Sequence, residues 1–287
     1  MKLSKLLFFL LTYLVCQSTF AAAVDKTIYI NRGVLTTMDL ATMPYLAFNS
    51  TTTFDQENTR ILLEQNDVLT LTIVNTDSIS HSFDVTEYSG ALTTIAANSS
   101  AQVVLTFSQV GAYIYFDPSA SFAYLGLSGL IAVKNPSVNS SDFYWNIKEH
   151  QSSFNDDLNQ GIPVDWSSYY PTYFTINGKS NPAINADAAA RVTGNVGDTI
   201  HIYMANTGQS IHSIHFHGYH SKIICSTKFP DHVGRLKDTF PIYSMESVIL
   251  ELVPDKVGEY PVHDHNLVAV SGANMYPNGM FLTLLID

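Results

Sequence analysis

Apolar and polar residues alternate at every second position through much of this chain, which is the period of a half-buried β-strand. In Val68-Leu69-Thr70-Leu71-Thr72-Ile73-Val74, Leu69, Leu71 and Ile73 fall on one face, with Thr70 and Thr72 on the other. Thr199-Ile200-His201-Ile202-Tyr203-Met204 repeats the pattern. It predicts Ile200, Ile202 and Met204 inward and His201 and Tyr203 outward, with His201 as a surface residue. Further runs of strand character lie at 26–31, 102–107, 111–116, 129–134, 171–176, 247–253 and 280–286. No long amphipathic helix is predicted, so the chain reads as all-β.

The pattern occurs twice. Asp67, Asn75-Thr76 and His81 recur as Asp198, Asn206-Thr207 and His212 at a constant offset of 131. Farther on, Val110-Gly111-Ala112-Tyr113 matches Val257-Gly258-Glu259-Tyr260 at an offset of 147. The change of offset places a longer middle loop in the second copy, at 218–245. Short strands separated by turn signals predict a Greek-key β-sandwich in each copy. The expected division is 24–138 for the first sandwich, 139–165 for a polar linker and 166–287 for the second, with a boundary near residue 140.

The two copies differ in their histidines. The second contains His212-Ser213-Ile214-His215-Phe216-His217-Gly218 and His263-Asp264-His265. On neighbouring strands His215, His217, His263 and His265 would share one face, and four imidazoles converging on a point are a metal site. In the first copy Asp84, Thr86 and Phe116-Asp117-Pro118 stand opposite these residues, and only His81 matches His212. The first copy is therefore expected to carry no metal motif, with His81 as a satisfied core or edge histidine. His220 is expected in a loop, near enough to the first cluster to line its rim, and His150 and His232 in solvent. Glu149, Asp156 and Asp157 fall in the predicted linker and receive no role.

Composition bears on compartment and partners. Residues 1–23 read as a secretory signal, with Lys2 and Lys5, an apolar stretch Leu6 to Val15, and Ala21-Ala22-Ala23 as the cleavage site. The expected location is outside the cytoplasm, periplasmic or extracellular. No segment is predicted to span a membrane. Val15 before Cys16 is not the small residue of a lipoprotein signal. Removal of the signal takes the net charge from −11 to −13, which excludes nucleic acid and anionic surfaces as partners. Cys225 is then the single cysteine, read as a buried, inert thiol.

His-Ser-Ile-His-Phe-His-Gly, Lys237-Asp238-Thr239, Gly258-Glu259-Tyr260, His263-x-His265 and Gly279-Met280 together resemble the C-terminal cupredoxin domain of the multicopper oxidases, the ceruloplasmin-like members especially. Tyr173-Phe174-Thr175-Ile176-Asn177-Gly178 and Gly197-Asp198 are similar to strand starts of that family. The resemblance covers 170–287, and the internal repeat extends it to 60–134. It implies two tandem cupredoxin-like domains and a copper cofactor. It also implies that His212 matches a blue-copper histidine and Met280 the axial position, while His215, His217, His263 and His265 match trinuclear-cluster ligands. The family's blue-site cysteine is Asp264 here, and the second blue-site histidine has no candidate.

A hard carboxylate cannot supply the soft thiolate bond of a blue site. The sequence therefore predicts an exported copper-binding protein with a non-blue histidine site. The residues assigned to metal are His215, His217, His263, His265 and, by resemblance, His212, with zinc as a possible occupant. Asp264, on the opposite strand face, could orient His212. Two other readings remain at this stage: an oligomeric oxidoreductase of multicopper-oxidase type, taking electrons from a small molecule or metal ion, and a metal-free structural sandwich.

Overall fold

A computed structural model describes residues 21–119 and 121–287. Residues 1–20 of the expected signal lie outside the described residues. The first sandwich contains β1 (Ala23–Thr36), β2 (Thr42–Asn49), β3 (Ile61–Glu64), β4 (Val68–Asn75), β5 (His81–Val85), β6 (Thr93–Ile95), β7 (Ser100–Thr106), β8 (Gly111–Phe116) and β9 (Ser128–Lys134). One sheet has the order β2-β1-β4-β7 and the other β3-β9-β8-β5-β6. Their inward faces meet in a core that includes Ile28, Phe48, Leu71, Phe83, Tyr115 and Ile131.

The second sandwich repeats that plan. Its strands are β10 (Ser141–His150), β11 (Tyr173–Ile176), β12 (Thr193–Gly194), β13 (Ile200–Asn206), β14 (His212–Phe216) and β15 (Ser221–Ser226). They continue with β16 (Leu236–Lys237), β17 (Thr239–Ile242), β18 (Glu246–Leu252), β19 (Gly258–Asp264) and β20 (Phe281–Ile286). The sheets run β11-β10-β13-β18-β15-β16 and β12-β20-β19-β14-β17. β10 pairs antiparallel with β11 and parallel with β13, as β1 does with β2 and β4. The β15–β16 hairpin has no counterpart in the first sandwich. It occupies the segment read as a longer loop at 218–245, and so accounts for the change of offset between the copies.

The expected linker 139–165 is for the most part structured. β10 is an internal strand whose Trp145 and Ile147 are fully buried, and the Trp145 indole N–H donates to Ala190 O at 2.7 Å. The helix α1 (Ser152–Asn159) follows, and its Phe154 joins the core of the first sandwich. The strand escaped the periodicity because both of its faces are covered, so buried apolar and buried polar residues follow one another without alternation. The second domain thus begins at β10.

The first sandwich also covers part of the outer face of the second. Ala112, Ile114, Leu130 and Ala132 of the first sandwich pack against Tyr144, Tyr203, Ala205 and Ile249 of the second. Tyr203, read as outward, leaves the core of its own sandwich and enters the domain interface, and His201, read as a surface residue, is buried beside Tyr203 and Glu251. His150, expected in solvent, is 1% exposed and packs edge-on against Tyr45 and Tyr124. Cys225 is half-buried at the same interface, and burial pushes its thiol pKa up.

Candidate metal centre

β14 and β19 lie antiparallel with Ile214 opposite Asp264 and His215 opposite His263. Alternation along both strands then divides the histidine motifs between two faces. His212, Ile214 and Phe216, with Val262 and Asp264, point into the sandwich and are buried. His215 and His263 point outward and are half-buried, and His217 and His265 are exposed beside them. His265 N–H donates to Ser213 O at 2.7 Å, which extends the pairing beyond the end of β19.

The four outward rings form one group. His215 is 4.7 Å from His217, 5.5 Å from His265 and 5.7 Å from His263, between ring centroids. His217 Nε2 and His263 Nε2 are 3.0 Å apart. Among the described residues no group of three or more His, Cys, Asp or Glu side chains is placed to hold a metal ion. The donor set, four imidazoles, is one that suits copper or zinc, and one pair has ligand spacing. Metal–imidazole bonds of about 2.0 Å place neighbouring ligand nitrogens roughly 3 Å apart, the spacing of the His217–His263 pair.

Hydrogen bonding assigns the tautomers. Thr239 Oγ1 lies 3.1 Å from Asp238 Oδ1 and 2.9 Å from His215 Nδ1. The hydroxyl donates to the carboxylate and so accepts from His215 Nδ1–H, leaving His215 Nε2 as a free lone pair. His263 Nδ1 is 2.8 Å from Asp264 O, a carbonyl that only accepts, so His263 also presents Nε2. Partners on the far nitrogen that orient an imidazole in this way are characteristic of metal-ligating histidines. Partial burial, together with the nearby His215, His263 and His265, lowers the His217 pKa and favours the neutral, ligating ring.

His212 is not part of this group. It is fully buried on the opposite face, with Nδ1 2.6 Å from Asp264 Oδ2 and Nε2 3.0 Å from Glu149 Oε2. Glu149, assigned to the linker and given no role, is fully buried and also accepts from the backbone N–H groups of Gln209 and Ser210 at 2.6 Å. Burial opposes ionisation of both groups. The two carboxylates override it for His212, whose pKa rises to about 9, and His212 with the backbone donors overrides it for Glu149, whose pKa falls to about 2. A carboxylate–imidazolium–carboxylate relay thus stands where the family resemblance placed a blue copper. Met280 is buried in the core. His220 is exposed and lines a separate cavity of about 530 Å³ with Lys222, Glu251 and Asp255.

The first sandwich contains the same arrangement of one histidine between two carboxylates. His81 Nδ1 is 2.8 Å from Asp117 Oδ2, and its Nε2 is 3.0 Å from Asp77 Oδ2. Asp117 Oδ1 accepts from the N–H two residues on, Ser119, as Asp264 Oδ1 does from Asn266. The outer carboxylate has a different source in each copy. Asp77 corresponds to Gly208, and the strand registers (Ile30 beside Asn75, Ile147 beside Asn206) make Arg32 correspond to Glu149. Arg32 pairs with Asp77 in the first copy, whereas in the second Glu149 occupies the space a side chain at 208 would need.

Comparison with known proteins agrees with this architecture. Residues 162–286 match the family model described as multicopper oxidase. No curated protein sequence matches the chain. Among solved structures, the blue copper oxidase from Nitrosomonas europaea is 19% identical with a TM-score of 0.77, covering 92% of this chain and 86% of its own. The multicopper oxidase mgLAC is 16% identical with a TM-score of 0.76, over 93% and 87%. The copper nitrite reductase from Nitrosomonas europaea is 15% identical with a TM-score of 0.72, over 92% and 94%. The stretch 162–286 is thus similar to a multicopper oxidase domain, within a two-sandwich fold shared with copper oxidases and copper nitrite reductases.

Proposed function

We propose that this is an exported copper-binding protein whose site is the outward imidazole group His215, His217, His263 and His265. The observation that carries the reading is the 3.0 Å approach of His217 Nε2 to His263 Nε2, with Thr239 and the Asp264 carbonyl orienting the neighbouring rings. Bound there, copper would supply one-electron redox chemistry or a held ion for delivery. The four rings would bind it, and Asp238, through Thr239, would keep His215 in its ligating tautomer. Neutral imidazoles suit copper and zinc alike, and the multicopper oxidase match favours copper.

Two features speak for a non-blue site. Asp264 provides no thiolate, and its carboxylate is engaged with His212, Ser213 and Asn266 inside the sandwich. Cys225 lies in the domain interface, away from the imidazole face. Copper titration followed by electron paramagnetic resonance tests the reading. One Cu(II) per chain with nitrogen hyperfine structure and no intense blue absorption is expected. Intense blue colour, or stoichiometry far below one, would overturn it.

Exposure of His217 and His265 at an open face favours one further arrangement, a homo-oligomer in which a second copy or a small reductant reaches the metal. Oxygen consumption with a phenolic or metal-ion donor, lost on His265→Ala, is the test of that oxidoreductase form.

A further inference from the structure

Asp264 stands between two of the outward histidines in sequence, yet its side chain reaches across to the other histidine strand. Its Oδ2 binds His212 Nδ1 at 2.6 Å and its Oδ1 accepts from Ser213 N–H at 3.0 Å, both at the start of β14. Oδ1 also accepts from Asn266 N–H at 2.8 Å, which fixes the turn directly after His265. The backbone carbonyl of Asp264 receives His263 Nδ1 at 2.8 Å, and Ser213 O receives His265 N–H at 2.7 Å. A closed set of bonds therefore links Ser213, Asp264 and His265, with His212 and Glu149 behind it. Asp264, His212 and Glu149 are each fully buried, so water does not compete for these bonds.

We propose that the Glu149–His212–Asp264 relay is the positioning device of the copper face. Resting on the copper reading above, it assigns Asp264 as a positioning residue that sets the spacing and ring orientation of the ligand strands, although none of its atoms joins the metal. In the blue-copper arrangement that the resemblance implies, a metal ion would tie these strands together at this point. Here the hydrogen bonds of His212 to Asp264 and Glu149 do so instead.

The duplicated relay in the first sandwich provides an internal control. Asp117 makes the same two bonds, to His81 and to Ser119 N–H, where Phe116 and Pro118 replace the ligand histidines. Loss of either relay should weaken its own sandwich, but only loss of the second should alter a metal signal.

The experiment compares Asp264→Asn, Glu149→Gln and Asp117→Asn in the full chain. Cu(II) affinity and hyperfine splitting are measured, together with imidazole nitrogen shifts of the metal-free protein. Asp264→Asn should weaken Cu(II) binding ten- to a hundred-fold, the range for lost partners of ligating groups, and should change the splitting and the His263 ring shifts. Glu149→Gln, farther from the ligands, should shift the same signals by less, and it keeps the test open if Asp264→Asn does not fold. Asp117→Asn should leave affinity and splitting unchanged. If the wild type binds no Cu(II), the copper reading fails. If it binds Cu(II) and both second-domain variants keep wild-type splitting, affinity and ring shifts, the positioning proposal fails while copper binding stands.

Discussion

Gly208 leaves open the space in which Glu149 Oε2 rests: a Cβ built at 208 would lie 1.8 Å from that oxygen. The corresponding residue in the first sandwich is Asp77, which itself supplies the outer carboxylate to His81. The same buried imidazole is satisfied twice, once by a carboxylate on the loop and once by a carboxylate on the neighbouring strand β10. The absence of a side chain at Gly208 and the presence of Glu149 are thus complementary.

Gly208→Ala should therefore expel Glu149 from His212 without removing a charge. An ion pair broken inside a protein costs about 3–5 kcal/mol, and a loss on that order in urea denaturation is expected. A stability within ~0.5 kcal/mol of wild type, the ordinary range for a neutral surface change, would show that the carboxylate has room elsewhere.

The relay also gives a pH dependence with a definite sign. His212 has its folded pKa raised from 6.5 to about 9, so its contribution is fully present below 6.5 and is lost as pH rises through about 9. Glu149 has its folded pKa lowered from 4.5 to about 2, so its contribution is present above 4.5 and is lost as pH falls through about 2. Denaturation midpoints should fall between pH 6.5 and 9, and His212→Gln should flatten that limb. An unchanged slope in the variant would assign the limb to other groups.

Ile147→Ala tests whether β10 belongs to the core. Ile147 is fully buried in the second sandwich, and truncating a buried isoleucine costs roughly 2–5 kcal/mol. A flexible linker would tolerate the change. Calorimetric unfolding separates the two outcomes by the size of the fall in midpoint.

At the outward face, His217→Ala and His263→Ala should each reduce Cu(II) affinity by at least an order of magnitude, because each removes one of the paired nitrogens 3.0 Å apart. His220→Ala, on the rim of a different cavity, should retain wild-type affinity. Isothermal titration with Cu(II) in a weakly chelating buffer provides the comparison. Equal losses in all three would point to nonspecific binding by surface imidazoles.

The repeating sequence determined the all-β class, the duplication and the faces of β14 and β19, because strand alternation is a local property carried by consecutive residues. It placed His215, His217, His263 and His265 on one side and Asp264 on the other from spacing alone. Other features depended on residues far apart in the chain. Glu149 reaches His212 across 63 positions, and β10 carries no alternation because the first sandwich and its own core cover both of its faces. Tyr203 points away from its own core, as the period requires, yet the docking of the two domains buries it. Local pattern tells which way a side chain points; what it meets there depends on packing between distant segments, and that was decided by the tertiary structure.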